Sequence, residues 1–212
     1  MQLDKVILKA VGSTLAAIFV LIVLMFSLCV LLFPSTMMYL TYNLGMEQSA
    51  VKFAQRAYKQ NGGVYYIACA TELAIGENDA FLIEKCGEKL IKDGQFEAYC
   101  AKMDENAKNE DGISGTYEQY IYGHTYAAKY KNGKKEAAVN AAFAACSEGF
   151  PRNNAIVALT VAVLRAEDAE TTAILKTRLE TIRSERGNSL NEADAAYLQS
   201  VIDLVNGYGQ AD

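Results

Sequence analysis

The sequence predicts an all-α protein in which a single N-terminal transmembrane helix precedes an array of antiparallel helical hairpins, either an α-solenoid or a bundle. Two observations carry this prediction. The chain has no charged side chain from Ala10 to Met46, and from Glu47 onward apolar residues recur at helical spacings between glycines and capping residues. The predicted organisation is a short tail (1–10), a transmembrane helix (11–33), an interfacial linker (34–46) and a helical domain (47–208).

The predicted membrane anchor begins at Val11, passes Leu21 and ends at Phe33. These 23 residues would extend about 34 Å as a helix, which is enough to cross a hydrocarbon core with some tilt. The few serine and threonine hydroxyls inside the run can bond back to the helix, so they are tolerated there. We therefore expect this segment to contact membrane lipid.

The same run has two other interpretations. A cleaved signal peptide would also begin with lysines, here Lys5 and Lys9, but the run exceeds the usual 7–15 or so apolar residues and no A-x-A site follows it. A buried core helix is rarely apolar on all sides over this length. The sequence thus favours an uncleaved anchor.

The flanks of the anchor predict its orientation. Lys5 and Lys9 precede it, whereas Lys52 is the first basic residue after it, which favours a cytoplasmic N-terminus and an extracytoplasmic domain. Because further basic residues follow Lys52, a cytoplasmic domain remains the alternative. Pro34 is predicted to end or kink the helix, and the tyrosines of the following linker fit a membrane interface.

The rest of the chain is predicted to form successive amphipathic helices. Phe96, Tyr99, Cys100 and Met103, for example, recur at i, i+3, i+4 and i+7. The segment 155–164 is apolar all round and β-branched, which also suits a strand, but its length and alanines favour a helix. Nine helices are predicted in this domain, over 47–60, 64–75, 79–92, 95–108, 116–131, 134–148, 153–166, 168–185 and 191–206.

Helix starts are marked by capping residues. Asn78 is the predicted N-cap of one helix, and capping boxes are predicted at Thr116 with Gln119 and at Ser189 with Glu192. Most connections between the helices are short, which predicts that neighbouring helices are antiparallel.

The segment 119–151 has a tyrosine-rich first helix, a turn at Gly133, an alanine-rich second helix and Pro151 near its end. In this layout it resembles a tetratricopeptide-type repeat. Ala138 and Ala145 are seven apart, as the small packing positions of that family are. The next inter-helix turn, near Glu167, follows Gly133 by about 34 residues, the repeat length of the family.

The resemblance is close over about one repeat and looser over the rest, since Thr172 and Leu179 replace the two small residues in the next unit. It implies a divergent helical-hairpin array over 47–208 whose concave face binds peptides or partner proteins.

Three tyrosines are the candidate partner-binding residues. Tyr122, Tyr126 and Tyr130 share one face of the predicted helix 116–131 at i, i+4 and i+8. As amphipathic anchors they could line a binding groove. The alternative is a structural role, in which the rings cover the small side chains of the alanine-rich helix that follows.

Other candidate sites are weaker. His124 is the single histidine, and no nucleophile, metal or phosphate-binding motif accompanies it. The segment 109–118 imitates part of a calcium loop, but its first ligand position would be Ala107, which has no side-chain oxygen. Four cysteines of the domain could be free or paired: Cys69, Cys86, Cys100 and Cys146. We expect no cofactor, no metal and no enzymatic activity.

The net charge of −5 leaves no dense basic patch, so nucleic acid is not an expected partner. The sequence therefore predicts a membrane-anchored helical-repeat adaptor or scaffold that binds a protein or peptide near the bilayer. A self-assembling structural membrane protein, acting as a homo-oligomer, is the second hypothesis, and an enzyme with an unrecognised site is the third.

Overall fold

The computed structural model describes residues 2–107, 116–145 and 155–207, and helices account for nearly all of them. No β-strand occurs in these ranges, which confirms the all-α prediction. The helices are α1 (Gln2–Leu32), α2 (Pro34–Asn43), α3 (Glu47–Asn61), α4 (Val64–Gly76), α5 (Ala80–Ile91), α6 (Phe96–Ala107), α7 (Tyr117–Lys131), α8 (Lys135–Ala144), α9 (Ala155–Arg165), α10 (Ala169–Arg186) and α11 (Glu192–Gly207), with a short 3-10 helix at Gly187–Ser189.

Each of the nine helices predicted after Glu47 is present as α3 to α11, with small differences at the ends. The segment 155–164 lies within helix α9, so the strand alternative was wrong. The N-terminal part of the predicted linker 34–46 is also helical: it forms α2, with Pro34 in the first turn, where its missing N–H is no loss. Met37 and Met38 of α2 are buried, so α2 packs against the helices that follow.

Two of the predicted helix caps differ in the structure. The N-cap of α5 is Asp79, whose carboxylate accepts from the Leu82 N–H at 3.0 Å, and not Asn78, which lies one residue too early. At α11 the predicted box at Ser189 is replaced by Asn191, whose side-chain oxygen accepts from the Asp194 N–H at 2.8 Å. Both differences arise because the helix begins later than the sequence pattern indicated.

The capping box at α7 is confirmed. The Thr116 hydroxyl accepts from the Gln119 N–H at 3.3 Å, and the Gln119 side chain accepts from the Thr116 N–H at 3.2 Å. The segment 108–115 before it lies outside the described residues, and so does most of the calcium-loop pattern.

Four inter-helix turns close with one hydrogen-bond pattern. At each turn a residue with positive φ donates its N–H to the carbonyl oxygen of the residue three positions before it. The next residue donates its N–H to the carbonyl oxygen five positions before it, as in a Schellman motif. The positive-φ residues are Gly45 (70°), Asn78 (53°), Gly133 (81°) and Glu167 (53°). The interval from Gly45 to Asn78 is nearly equal in length to the interval from Gly133 to Glu167. Helix α6 lies in the longer interval between Asn78 and Gly133.

Helix α7 joins two hydrophobic clusters. Ile121 belongs to a cluster formed by helices α2 to α7, whereas Tyr126 and Tyr130 belong to a cluster formed by α7 to α11. At the crossing of α5 and α7, Gly87 faces Thr125 so closely that a Cβ on Gly87 would lie 2.0 Å from the threonine hydroxyl. The position of α7 therefore determines how the two halves of the domain meet.

Helix α1 packs differently from all these helices. From Val11 to Phe33 nearly every side chain is exposed, including Leu21, which is 59% exposed. Residues Val11–Leu32 form the one helix of the described chain that is long and apolar enough to cross a membrane, a test that an N-terminal signal sequence also passes. The buried-core interpretation was wrong, because the domain covers none of this segment.

Candidate partner-binding site

The predicted tyrosine face of α7 turns mainly inward. Tyr126 and Tyr130 are 8% and 6% exposed, and Tyr122 is half-buried. The Tyr122 ring stacks on Tyr126 with centroids 5.7 Å apart and meets Phe96 of α6 edge-on at 5.8 Å. Tyr126 and Tyr130 share a cluster with the buried alanines of α8. This burial supports the structural role rather than the groove for these three residues.

Tyr130 also takes part in a polar contact between α7, α8 and the start of α10. Its hydroxyl donates to the Asp168 carboxylate at 2.9 Å, and Lys135 of α8 makes an ion pair with the same carboxylate at 2.7 Å. Asp168 is the N-cap of α10, and it accepts from the Thr171 N–H and hydroxyl at 3.1 and 2.8 Å. The hydrogen bond from Lys135, with those from Thr171 and Tyr130, lowers the pKa of Asp168. Burial, with the hydrogen bond to Asp168, raises the pKa of Tyr130 to about 12.

A second polar contact joins α5 to the α7–α8 turn. The nearly buried Glu84 accepts from Asn132 at 2.7 Å and from Lys134 at 2.7 Å. Burial of Glu84 opposes its charge, but these hydrogen bonds and the nearby lysines outweigh it and lower the pKa of Glu84. These contacts tie α7 and α8 to the N-cap of α10, and α5 to the α7–α8 turn.

An accessible set of aromatic side chains lies elsewhere, along α2, α4 and α7. We name it the tyrosine track and define it by Tyr39, Tyr65, Tyr117, Tyr120 and His124. The Tyr39 and Tyr65 hydroxyls are 2.9 Å apart, which links α2 to α4. On α7 the ring of Tyr120 lies 6.2 Å from that of Tyr117 and 4.6 Å from that of His124.

Glu72 of α4 connects the two parts of the track. Its carboxylate accepts a hydrogen bond from the Tyr117 hydroxyl at 2.5 Å. Burial, with the charge of Glu72 and this hydrogen bond, strongly raises the pKa of Tyr117, which therefore stays a neutral donor. Tyr39, Tyr65 and Tyr120 are 49%, 42% and 42% exposed, so the track offers aromatic surface to a partner.

A cleft of about 470 Å³ opens at the α2 end of the track. We name it the α2–α4 cleft. Its aromatic wall consists of Tyr39, Tyr42 and Tyr65, and its acidic groups are Glu47 and Glu72. The remaining lining residues are Met38, Asn43, Cys69, Leu73 and Gly76.

Helix α7 carries two aromatic stripes, and the sequence does not distinguish the exposed one. Tyr117, Tyr120 and His124 recur at i, i+3 and i+7, which is helical spacing as good as that of the three predicted tyrosines. Periodicity identifies each stripe but not the side on which neighbouring helices pack. Tyr39 and Tyr65 belong to other helices, and no local pattern links them to α7.

The remaining candidates add no site. His124 packs edge-on against Tyr120, and the partial desolvation of its ring, with the charge of Lys131, lowers its pKa. Cys69, Cys86 and Cys100 are free thiols in the structure, while Cys146 lies outside the described residues. Within the described ranges no group of three or more His, Cys, Asp and Glu side chains is placed to hold a metal ion.

Comparison with known proteins finds no relative: no family model matches the chain, and neither a curated protein nor a solved structure matches it.

Proposed function

We propose that the protein is a single-pass membrane protein whose helical-repeat domain holds a protein or peptide partner beside the bilayer. The observation that carries this proposal is the tyrosine track, an exposed aromatic surface that begins on α2, the helix next to the apolar α1. A partner bound along the track would thus be held close to the point at which the domain is anchored. Anchoring raises the local concentration of the domain at the membrane.

The spacing of the turns supports a divergent tetratricopeptide-like array. Gly133 and Glu167 close their hairpins with the same hydrogen bonds at an interval of about 34 residues, the repeat length of that family. Gly45 and Asn78 do so over almost the same interval. On this proposal α2–α3, α4–α5, α7–α8 and α9–α10 are four hairpins, and α6 with the segment after it is an insertion between the second and the third.

In the proposed array the tyrosine track would be a binding surface. Helices α2, α4 and α7 are the first helices of three successive hairpins in this array, and we propose that the track along them lies on the concave face, the surface with which such arrays bind partners. Tyrosine suits a binding surface because it combines a large apolar ring with a hydroxyl at low entropic cost. We therefore assign partner contact to Tyr39, Tyr65 and Tyr120 in place of the predicted Tyr122, Tyr126 and Tyr130.

The membrane part of the proposal rests on α1. Nearly all of its apolar side chains between Val11 and Leu32 are exposed to solvent, and a hydrocarbon environment would cover them. The lysines at its start favour a cytoplasmic N-terminus and an extracytoplasmic domain. The exposed Tyr42 and Leu44, at the end of α2, suit the adjacent interface.

Site-specific photo-crosslinking in the native host tests this function. A benzoylphenylalanine replacing Tyr120 should capture a partner protein, whereas the same group replacing Ile174, 39% exposed on α10, should capture none or a different set. Identical capture at both positions would exclude the track as the binding surface. Products consisting solely of two copies of this chain would favour self-assembly over an adaptor role.

A further inference from the structure

We infer that the α2–α4 cleft receives a basic side chain, lysine or arginine, of the partner segment that follows the tyrosine track. This inference rests on the proposed function and extends it, because it names the chemistry of the partner at one position.

The cleft has the composition of a site for an organic cation. Tyr39, Tyr42 and Tyr65 contribute aromatic rings, whose faces attract a cation, and Glu47 and Glu72 contribute carboxylates. Among the described residues neither Lys nor Arg lines the cleft, so no cationic side chain in the lining neutralises the two carboxylates. Its volume of about 470 Å³ exceeds what one side chain fills, which leaves room for the backbone that carries it.

A third acid lies at the edge of the cleft. Glu77 follows the lining residue Gly76, and the neighbouring side chain of Glu47 raises the pKa of Glu77. Two neighbouring carboxylates repel each other unless they share a proton or a cation lies between them. A bound ammonium or guanidinium group would relieve this repulsion and gain charge-assisted hydrogen bonds.

The lining favours a peptide over a phospholipid. The headgroup of a zwitterionic lipid carries a phosphate beside its ammonium group. The carboxylates of the cleft would repel that phosphate, and the lining residues include no cationic side chain to bind it. A lysine or arginine side chain brings no such anion. The Tyr117 hydroxyl on Glu72 holds one acid in place from the α7 side, next to the rest of the track.

Peptide binding to the full-length protein in maltoside micelles tests the inference. The probe is an amphipathic twelve-residue peptide of leucine and lysine with one tryptophan, and the matched probe has every lysine acetylated. The protein contains no Trp, so the emission reports on the peptide alone. The lysine peptide should bind, and the double variant Glu47→Gln with Glu72→Gln should bind it about fivefold more weakly.

The control is Glu185→Gln, which removes an exposed acid on α10 and should leave binding unchanged. Circular dichroism checks that each variant is folded, and Tyr42→Ala supplies a second variant that tests the aromatic wall without altering charge. Equal binding of the two peptides, or unaltered binding by both cleft variants, would overturn the inference. Displacement of the peptide by dissolved dihexanoylphosphatidylcholine at lower concentration than by free lysine amide would assign the cleft to lipid and also overturn it.

The adaptor function and the binding of a basic side chain in the cleft can be contradicted independently of each other. If crosslinking at Tyr120 captures a partner but the cleft variants bind the lysine peptide normally, the adaptor function stands and the inference falls. If the peptide binds as expected but no partner is captured at Tyr120, the cleft recognises cations and the adaptor function falls.

Discussion

The Tyr130 hydroxyl donates to the Asp168 carboxylate at 2.9 Å, and this contact joins the last turn of α7 to the N-cap of α10. Lys135 binds the same carboxylate from α8. One acidic side chain thus caps the start of α10 and receives donors from both α7 and α8. Because apolar packing is not directional, these polar contacts favour one register of α7 and α8 relative to α10.

Tyr130→Phe should destabilise the domain without a change in its fold. The substitution keeps the buried ring and removes one hydrogen bond to a charged acceptor, which corresponds to about 1 to 2 kcal/mol in the free energy of unfolding. The measurement is a urea unfolding curve of the full-length protein in detergent. Tyr120→Phe is the matched control on the same helix, since Tyr120 is exposed, and an equal loss in both variants would contradict the proposed role of the contact.

Acid should weaken the contact between these hairpins. The pKa of Asp168 is lowered below its ordinary value of 3.8, so the carboxylate contributes stability that is present above that value and is lost as the pH falls toward the folded-state pKa. Asp168→Asn keeps a capping oxygen and does not titrate. The difference in urea midpoint between wild type and Asp168→Asn should therefore be larger near pH 7 than near pH 3. A difference that does not vary with pH would contradict this account.

Gly87→Ala should strain the crossing of α5 and α7. The new Cβ would lie 2.0 Å from the Thr125 hydroxyl oxygen, so the helices would have to separate, at a cost of about 1 to 3 kcal/mol. Gly76→Ala is the control, because a Cβ there meets nothing within 4 Å. Adding Thr125→Ala to Gly87→Ala should restore part of the loss in thermal unfolding, and absence of any rescue would show that the clash is not the cause.

Thr160→Val should stabilise the protein. The Thr160 hydroxyl is fully buried in α9 and has no hydrogen-bond partner among the described residues, so an isosteric methyl group removes an unfavourable buried polar atom, worth about 1 kcal/mol. Thr71→Val is the comparison: the Thr71 hydroxyl is equally buried but donates to the Ile67 carbonyl at 2.8 Å. Thr160→Val should raise the unfolding midpoint relative to Thr71→Val, and the reverse order would contradict the assignment.

Helix positions followed from the sequence because local signals are redundant. At Thr116 the capping box and the spacing of the apolar residues indicate the same start, and the structure has that start. A helix start predicted from a single signal was less exact. Asn78 was predicted as the N-cap of α5, but it closes the preceding turn and Asp79 is the cap.

The exposed side of α7 could not be predicted in the same way. Tyr126 and Tyr120 have similar chemistry and lie on stripes with the same period, and only the packing of α8 and α9 on one side buries the first and leaves the second exposed. The α2–α4 cleft is harder still to predict, since Tyr39 and Tyr65 meet through the fold. The helical character of α2 was missed because its tyrosines were interpreted as an aromatic belt at a membrane interface.

The most direct test of the account is alkaline carbonate extraction of membranes from cells that express the full-length chain, followed by intact-mass measurement of the protein in each fraction. The account predicts that the uncleaved chain remains in the membrane pellet, and that a variant with Leu21→Arg and Leu24→Arg is released, because arginine at the centre of a span is costly. Recovery of the uncleaved wild-type chain in the soluble fraction, or of a chain shortened by removal of α1, would contradict the proposed anchor and the adaptor role that depends on it.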